Sequence, residues 1–188
     1  MTRLVMIRHA TTIWNENRRL QGRSDIALSA KGHRELKNWQ IPKTYENGRW
    51  VCSPLLRAVQ TARTLGATQL QCEPRLVEMN WGDWEGCTID ELQLNDPEYM
   101  NEVESRGLDF SAPNGESPRQ IQQRLAPWLL RIANQSEPIN AVCHKGVIKS
   151  LFAWAINWNL LGKSPIKLDW SSAQIFNLNE NGAPSLEK

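Results

Sequence analysis

Short apolar runs, each ending in a polar residue, alternate along this chain with amphipathic stretches. Leu4 to Ile7 is a continuous apolar run of strand length that stops at Arg8-His9. Side chains alternate across a sheet, so an unbroken run of this kind marks a strand covered on both faces. Trp50-Val51-Cys52 and Ile139 to Cys143 have the same character and stop at Ser53 and His144. Gln69 to Cys72 and Ala173 to Leu178 supply two further strands.

The stretches between them carry helix signals. Ser29 to Trp39 opens with a serine cap and is weakened by Gly32. Ser53-Pro54 places a capping residue before proline, ahead of Leu55, Ala58, Val59, Ala62 and Leu65 at helical spacing. Thr88-Ile-Asp-Glu91 has capping-box spacing and predicts a short helix. Ser117-Pro118 opens a long amphipathic helix to about Asn134, with a kink expected at Pro127. A last helix runs from Lys145 to about Trp158. Residues 75–86 show no period and read as an ordered loop. Residues 95–116, with Pro97, Gly107, Pro113 and Gly115, read as a polar surface insertion.

Strands alternating with helices predict an α/β fold, a three-layer α/β/α sandwich with a largely parallel central sheet. With no linker or repeat, residues 1–188 read as one domain, and an insertion at about 87–116 is expected to cover the active site. Twenty-two basic against 20 acidic side chains give a net charge of +2, which argues against nucleic acid or an anionic membrane as partner. The apolar run near the N-terminus is broken by Arg8 before it could form a signal core, and no stretch is long enough to span a bilayer. Cys52, Cys72, Cys87 and Cys143 lack C-x-x-C spacing and read as free thiols, so a cytoplasmic location is expected. Nine tryptophans, scattered from Trp14 to Trp170, read as core.

Three predicted strands end in polar residues suited to binding and attacking one anion. These are Arg8-His9, Ser53 with Arg57 a helical turn later, and His144. In a parallel sheet, ligands bind at the carboxyl ends of strands. Two arginines can clamp a phosphoryl group, and a neutral imidazole is a competent nucleophile near pH 7. Helices beginning near Pro54 and Lys145 are expected to aim their N-termini at the same anion.

Five segments then resemble, in order, the motifs of the histidine phosphatase superfamily, the phosphoglycerate-mutase-like enzymes. Arg8-His9-Ala10-Thr11-Thr12-Ile13-Trp14-Asn15 is similar to the R-H-G-x-T-x-W-N signature. Ser53-Pro-Leu-Leu-Arg57-Ala-Val-Gln60-Thr-Ala62 resembles the second motif, and Leu76-Val-Glu78-Met-Asn-Trp-Gly82-Asp-Trp-Glu-Gly86 the acid-bearing loop. Asn114-Gly115-Glu116-Ser117 and Val142-Cys-His144-Lys-Gly146 are similar to the remaining two.

The resemblance implies that His9 becomes phosphorylated, that Arg8, Arg57 and His144 hold the phosphoryl oxygens, and that Glu78 is the proton donor. Asp83 and Glu85 stand close enough in sequence to compete for that last role. Asn15, Gln21 and Gly22 match pocket positions. Two departures stand out: Ala10 replaces a glycine, and Lys145 replaces a small residue, reading either as a plain helix-start lysine or as a substrate contact.

The expected activity is metal-independent hydrolysis of a small phosphorylated substrate, with no cofactor. Mutase-type transfer and dephosphorylation of a phosphohistidine protein are the alternatives. A non-catalytic phosphate-binding module is disfavoured because His9 and Glu78 are both present. A zinc site is disfavoured by only three histidines and the lack of H-E-x-x-H. Between Cys87 and Glu116, eight carboxylates (Asp90, Glu91, Asp96, Glu98, Glu102, Glu104, Asp109, Glu116) face only Arg106. If they face the substrate, they favour a monophosphate with a neutral or cationic remainder; otherwise they form a solvated outer face.

Overall fold

The first strand sets the pattern for the whole molecule: Leu4 and Met6 pack into one hydrophobic cluster, Val5 and Ile7 into another on the opposite side. The computed structural model describes residues 1–39 and 42–187. In chain order the elements are β1 (Thr2–Arg8), α1 (Ile13–Glu16), α2 (Ala30–Leu36), β2 (Arg49–Cys52), α3 (Leu56–Thr64), β3 (Leu70–Cys72), α4 (Ile89–Asn95), α5 (Pro97–Ser105), α6 (Pro118–Ile132), β4 (Ile139–Cys143), α7 (Lys145–Ala155), β5 (Gln174–Leu178) and β6 (Pro184–Leu186).

The six strands form one sheet in the order β3-β2-β4-β1-β5-β6. The first four are mutually parallel, while at one edge β5 runs antiparallel to β1 and β6 antiparallel to β5. α6 and α7 bury Ile121, Leu125, Leu129 and Leu151 against one face of the sheet. α3 packs Ala58 and Ala62 against the other. The α/β/α sandwich expected from the pattern is the fold observed.

Several boundaries differ from the expectation. α2 stops at Leu36, short of Trp39, and α7 stops at Ala155, followed by Asn157 in the left-handed region. The segment after Asn95 is not an irregular insertion. Asp96 caps α5 with Pro97 in its first turn, and Met100 and Val103 are buried beneath it. Residues 74–86 contain two short 3-10 turns, Pro74–Leu76 and Gly82–Trp84. Strand β6 has no local signal: three residues, one of them proline, become a strand only by pairing with β5.

Capping motifs form as expected where cap and helix are neighbours. Thr88 and Ser117 each form the reciprocal capping box, on α4 and α6, and α6 continues through Pro127 to Ile132. Ser53 does not cap. α3 begins two residues later, after Leu55, which offers no side-chain cap.

Candidate active site

Register brings the polar strand ends together. Arg8 pairs with Cys143 and Cys52 with Val142, so the carboxyl ends of β1, β4 and β2 stand in one row. The backbone continues the row: His9 N donates to the Cys143 carbonyl and Ser53 N to the Val142 carbonyl, each at 2.9 Å. Neighbouring parallel strands lie about 4.8 Å apart. Consequently the His9 and His144 rings sit side by side, with centroids 5.2 Å apart.

His9 Nδ1 lies 2.7 Å from the Ala10 carbonyl oxygen. A carbonyl can only accept, so Nδ1 carries the proton and Nε2 keeps its lone pair. Burial pushes the His9 pKa well below the ordinary histidine value, and Arg57 and Arg8 push it the same way. The ring is therefore neutral at neutral pH. Ala10 in place of glycine brings no strain, because its backbone is not in the left-handed region. Its amide donates to Thr61 Oγ1.

His144 is fully buried, and its Nε2 lies 2.7 Å from Ser53 Oγ, which also accepts from Leu55 N. In place of the helix cap expected from its spacing, Ser53 orients an imidazole on the adjacent strand. The Nδ1 atom of His144 is buried without a partner, as are Arg8 Nε and Arg57 Nε. Burial, then His9 and Arg57, hold the His144 pKa well below its ordinary value.

Arg57 is a wholly buried cation. Nη1 donates to the Ser24 carbonyl and Nη2 to the Gly22 carbonyl, both at 2.8 Å. Two carbonyls fix the guanidinium plane without neutralising it, and no carboxylate pairs with it among the described residues. An unpaired buried charge is costly, and an incoming anion would relieve that cost. Gly22 makes this possible. It has φ +52°, and a Cβ there would stand 1.9 Å from Glu85 Oε1. Arg8 adds a second guanidinium, stacked 5.9 Å from the Trp170 ring centroid.

Of the three acids that compete in sequence, only Glu78 lines the cavity. Its oxygens accept from Met79 N at 2.8 Å and Gly146 N at 3.3 Å. Burial raises its pKa above the ordinary glutamate value, against the pull of those amides and of Arg57 and Arg8. Asp83 accepts from Asn114 Nδ2, and Glu85 from the amides of Arg23 and Ser24 and the Ser24 hydroxyl. Glu85 thus braces the loop whose carbonyls hold Arg57. The helix N-termini are likewise committed to carboxylates of the chain itself: Leu56 N donates to Asp25, and Gly146 N to Glu78.

The cavity has a volume of about 380 Å³ and is lined by Arg8, His9, Arg57 and Glu78 together with Asn15, Gln21, Gly22 and Lys145. His144 stands behind this surface. Asn15 and Gln21 are both anchored by Thr12, whose hydroxyl donates to Gln21 Oε1 at 2.9 Å. Lys145 lies 5.5 Å from the Trp170 ring centroid, and desolvation with Arg8 and Lys149 nearby lowers its pKa.

Sequence reasoning missed Lys149 and the apolar lining residues Trp81, Ile89, Phe110 and Leu160. Lys149 was within reach, since it follows Lys145 by four residues on one helix face. The apolar wall comes from four distant segments and has no local signal.

None of the eight acids between Cys87 and Glu116 lines this cavity. Glu102 pairs with Arg106, Asp109 with Arg119 and Glu116 with Arg124. Glu91 and Asp96 serve as caps. Apart from Glu104, which lines a neighbouring cavity, and the largely buried Glu116, they form an outer face, and they give no ground for a neutral or cationic substrate. Among the described residues, no group of three or more His, Cys, Asp or Glu side chains could hold a metal ion, and no helix is long and apolar enough to cross a membrane.

A sequence model of the Histidine phosphatase superfamily (branch 1) matches residues 4–187. Phosphoglycerate mutase-like protein 4 of Arabidopsis thaliana is 30% identical over 158 residues, 79% of this chain and 69% of that protein. The structure of a mycobacterial glucosyl-3-phosphoglycerate phosphatase in complex with VO3 superimposes with TM-score 0.76 at 25% identity, covering 94% of this chain and 93% of the other. That of phosphoserine phosphatase from Entamoeba histolytica, in complex with 3-phosphoglyceric acid, gives 0.79 at 26% identity, covering 100% and 96%.

Proposed function

The chain belongs to branch 1 of the histidine phosphatase superfamily, and on that premise we propose that it hydrolyses a small phosphomonoester through a phosphohistidine at His9, without a metal. His9 Nε2 attacks phosphorus while the ester oxygen departs. Arg8, Arg57 and His144 hold the non-bridging oxygens. Glu78 gives its proton to the departing oxygen, so the alcohol leaves neutral. Water then attacks the phosphohistidine, Glu78 takes its proton, and inorganic phosphate is released with His9 restored. Asn15, Gln21, Gly22 and Lys145 line the substrate's path, and residues 87–116 cover it.

One observation carries this reading. Arg8 Nε, Arg57 Nε and His144 Nδ1 are buried without partners beside a neutral nucleophile. Buried polar nitrogens are rarely left unsatisfied, and a phosphoryl group supplies several acceptors at once. The two guanidinium charges do the electrostatic work that a metal would otherwise do.

The test is phosphate release from a panel of phosphomonoesters, with His9→Ala as control and EDTA present throughout. His9-dependent release in EDTA is expected. Loss in EDTA, restored by zinc or magnesium, would overturn the metal-free mechanism. Mutase-type transfer is the second reading, favoured because Arg19, Lys145 and Lys149 line the same cavity and could hold a second anionic group. Supplying 3-phosphoglycerate with catalytic 2,3-bisphosphoglycerate separates the two, through 2-phosphoglycerate formed against phosphate released.

A further inference from the structure

Beyond the phosphoryl site lies a second cavity of about 400 Å³. It meets the first along Trp81, Ile89, Phe110, Lys149 and Leu160, which line both. Its far wall comes from the helix that sequence reasoning took for a polar insertion: α5 turns Met100 and Val103 inward. Only Glu104 and Lys149 bring charge to the lining. The Trp81 and Phe110 rings lie 5.9 Å apart at its junction with the phosphoryl site. Beside them, Ile89 keeps 38% of its surface exposed. The cavity is open to water, so an apolar group that enters it takes its aromatic and aliphatic walls out of solvent and gains dispersion contacts with them.

Resting on the hydrolase reading, we propose that this annex is the leaving-group subsite, and that the substrate is the phosphomonoester of an alcohol with a bulky, ring-bearing apolar body. The phosphoryl group sits between Arg8 and Arg57, and the organic body extends past Trp81 and Phe110 towards Met100 and Val103. Specificity then arises from apolar area, which the cavity rewards, and of the acids between Cys87 and Glu116 only Glu104 reaches its lining.

The test uses two ligands that cannot be hydrolysed, benzylphosphonate and 1-naphthylmethylphosphonate, bound to the wild-type protein in a calorimeter. The naphthyl compound is expected to bind about tenfold tighter. Val103→Trp, which fills the annex, should bring the ratio close to one. Ile89→Glu should lower it too; that exposed position at the start of α4 tolerates an acid without loss of core packing. Equal affinities in the wild type, or a preference that survives both substitutions, would overturn the annex as a subsite. Phosphate release from phenyl phosphate is measured alongside. If no His9-dependent release is seen, the hydrolase reading falls and the binding ratio still judges the annex. Binding of neither phosphonate would overturn the annex as a subsite, and phosphate release alone would still judge the hydrolase reading.

Discussion

The hydroxyl of Ser53 lies 2.7 Å from Nε2 of His144, linking the ends of two adjacent parallel strands. With its other ring nitrogen unpartnered, His144 owes its orientation to this bond and to packing. Ser53→Ala should therefore lower kcat about tenfold, the worth of one buried hydrogen bond, with little change in KM. Ser53→Thr should restore most of the rate. A loss confined to KM would mean that Ser53 acts on binding and not on the imidazole.

A phosphohistidine at His9 should be trappable. Brief incubation with a good substrate, alkaline handling and mass spectrometry should find one phosphoryl group on His9. Label on a serine or cysteine instead would exclude the double displacement.

The rate should be bell-shaped in pH. His9 must be neutral to attack, and its lowered pKa moves the acidic limb below the ordinary histidine value. Glu78 must be protonated, and its raised pKa moves the alkaline limb above the ordinary glutamate value. Both shifts point to a mildly acidic optimum. Glu78→Gln should slow alkyl phosphates far more than p-nitrophenyl phosphate, whose leaving group needs little protonation. Equal losses on both would remove Glu78 from the acid role.

Stability should fall in mild acid. His9 and His144 both have folded-state pKa values depressed mainly by burial, so the unfolded chain binds protons more readily. Their contribution is complete above the unfolded value of about 6.5 and is lost as pH falls towards the folded values. Each ring should cost about 1.4 kcal/mol per pH unit in that window. Calorimetric Tm should therefore drop between pH 7 and pH 5, and His9→Ala should flatten the slope. Glu78, with its raised folded-state pKa, acts in the opposite direction, so the deciding quantity is the difference between wild type and His9→Ala: equal slopes would contradict the burial of His9.

Gly22→Ala should damage stability and phosphate binding together. Its positive φ and the clash with Glu85 should cost at least about 2 kcal/mol. Displacing its carbonyl would also release one of the two acceptors that fix Arg57. A variant that is destabilised yet binds phosphate as before would mean that Arg57 is held by packing alone.

The strands and most helices could be read from the chain because their signals are local. Apolar runs of strand length stop at Arg8, Cys52 and Cys143, and Thr88 and Ser117 cap the helices that follow them. A parallel sheet then brings the strand ends to one edge, so Arg8, His9, Arg57 and His144 could be grouped before any coordinates. Among Glu78, Asp83 and Glu85 the choice was open in sequence. It was decided by the reach of each carboxylate across the fold: one to the cavity, one to Asn114, one to the loop beneath Arg57.

What tertiary structure alone decided concerns which way side chains face. Local spacing made Ser53 a cap, but a buried imidazole 91 residues away offered it a stronger partner. Three residues near the C-terminus became β6 because β5 presented an unpaired edge. Counting charges left open whether the acids of residues 87–116 face the substrate or water. Once α5 buried Met100 and Val103, the hydrophobic effect fixed its rotation and turned most of its acids to water. Sequence records which groups a segment carries, and only the packing of distant segments against it determines which of them a substrate meets.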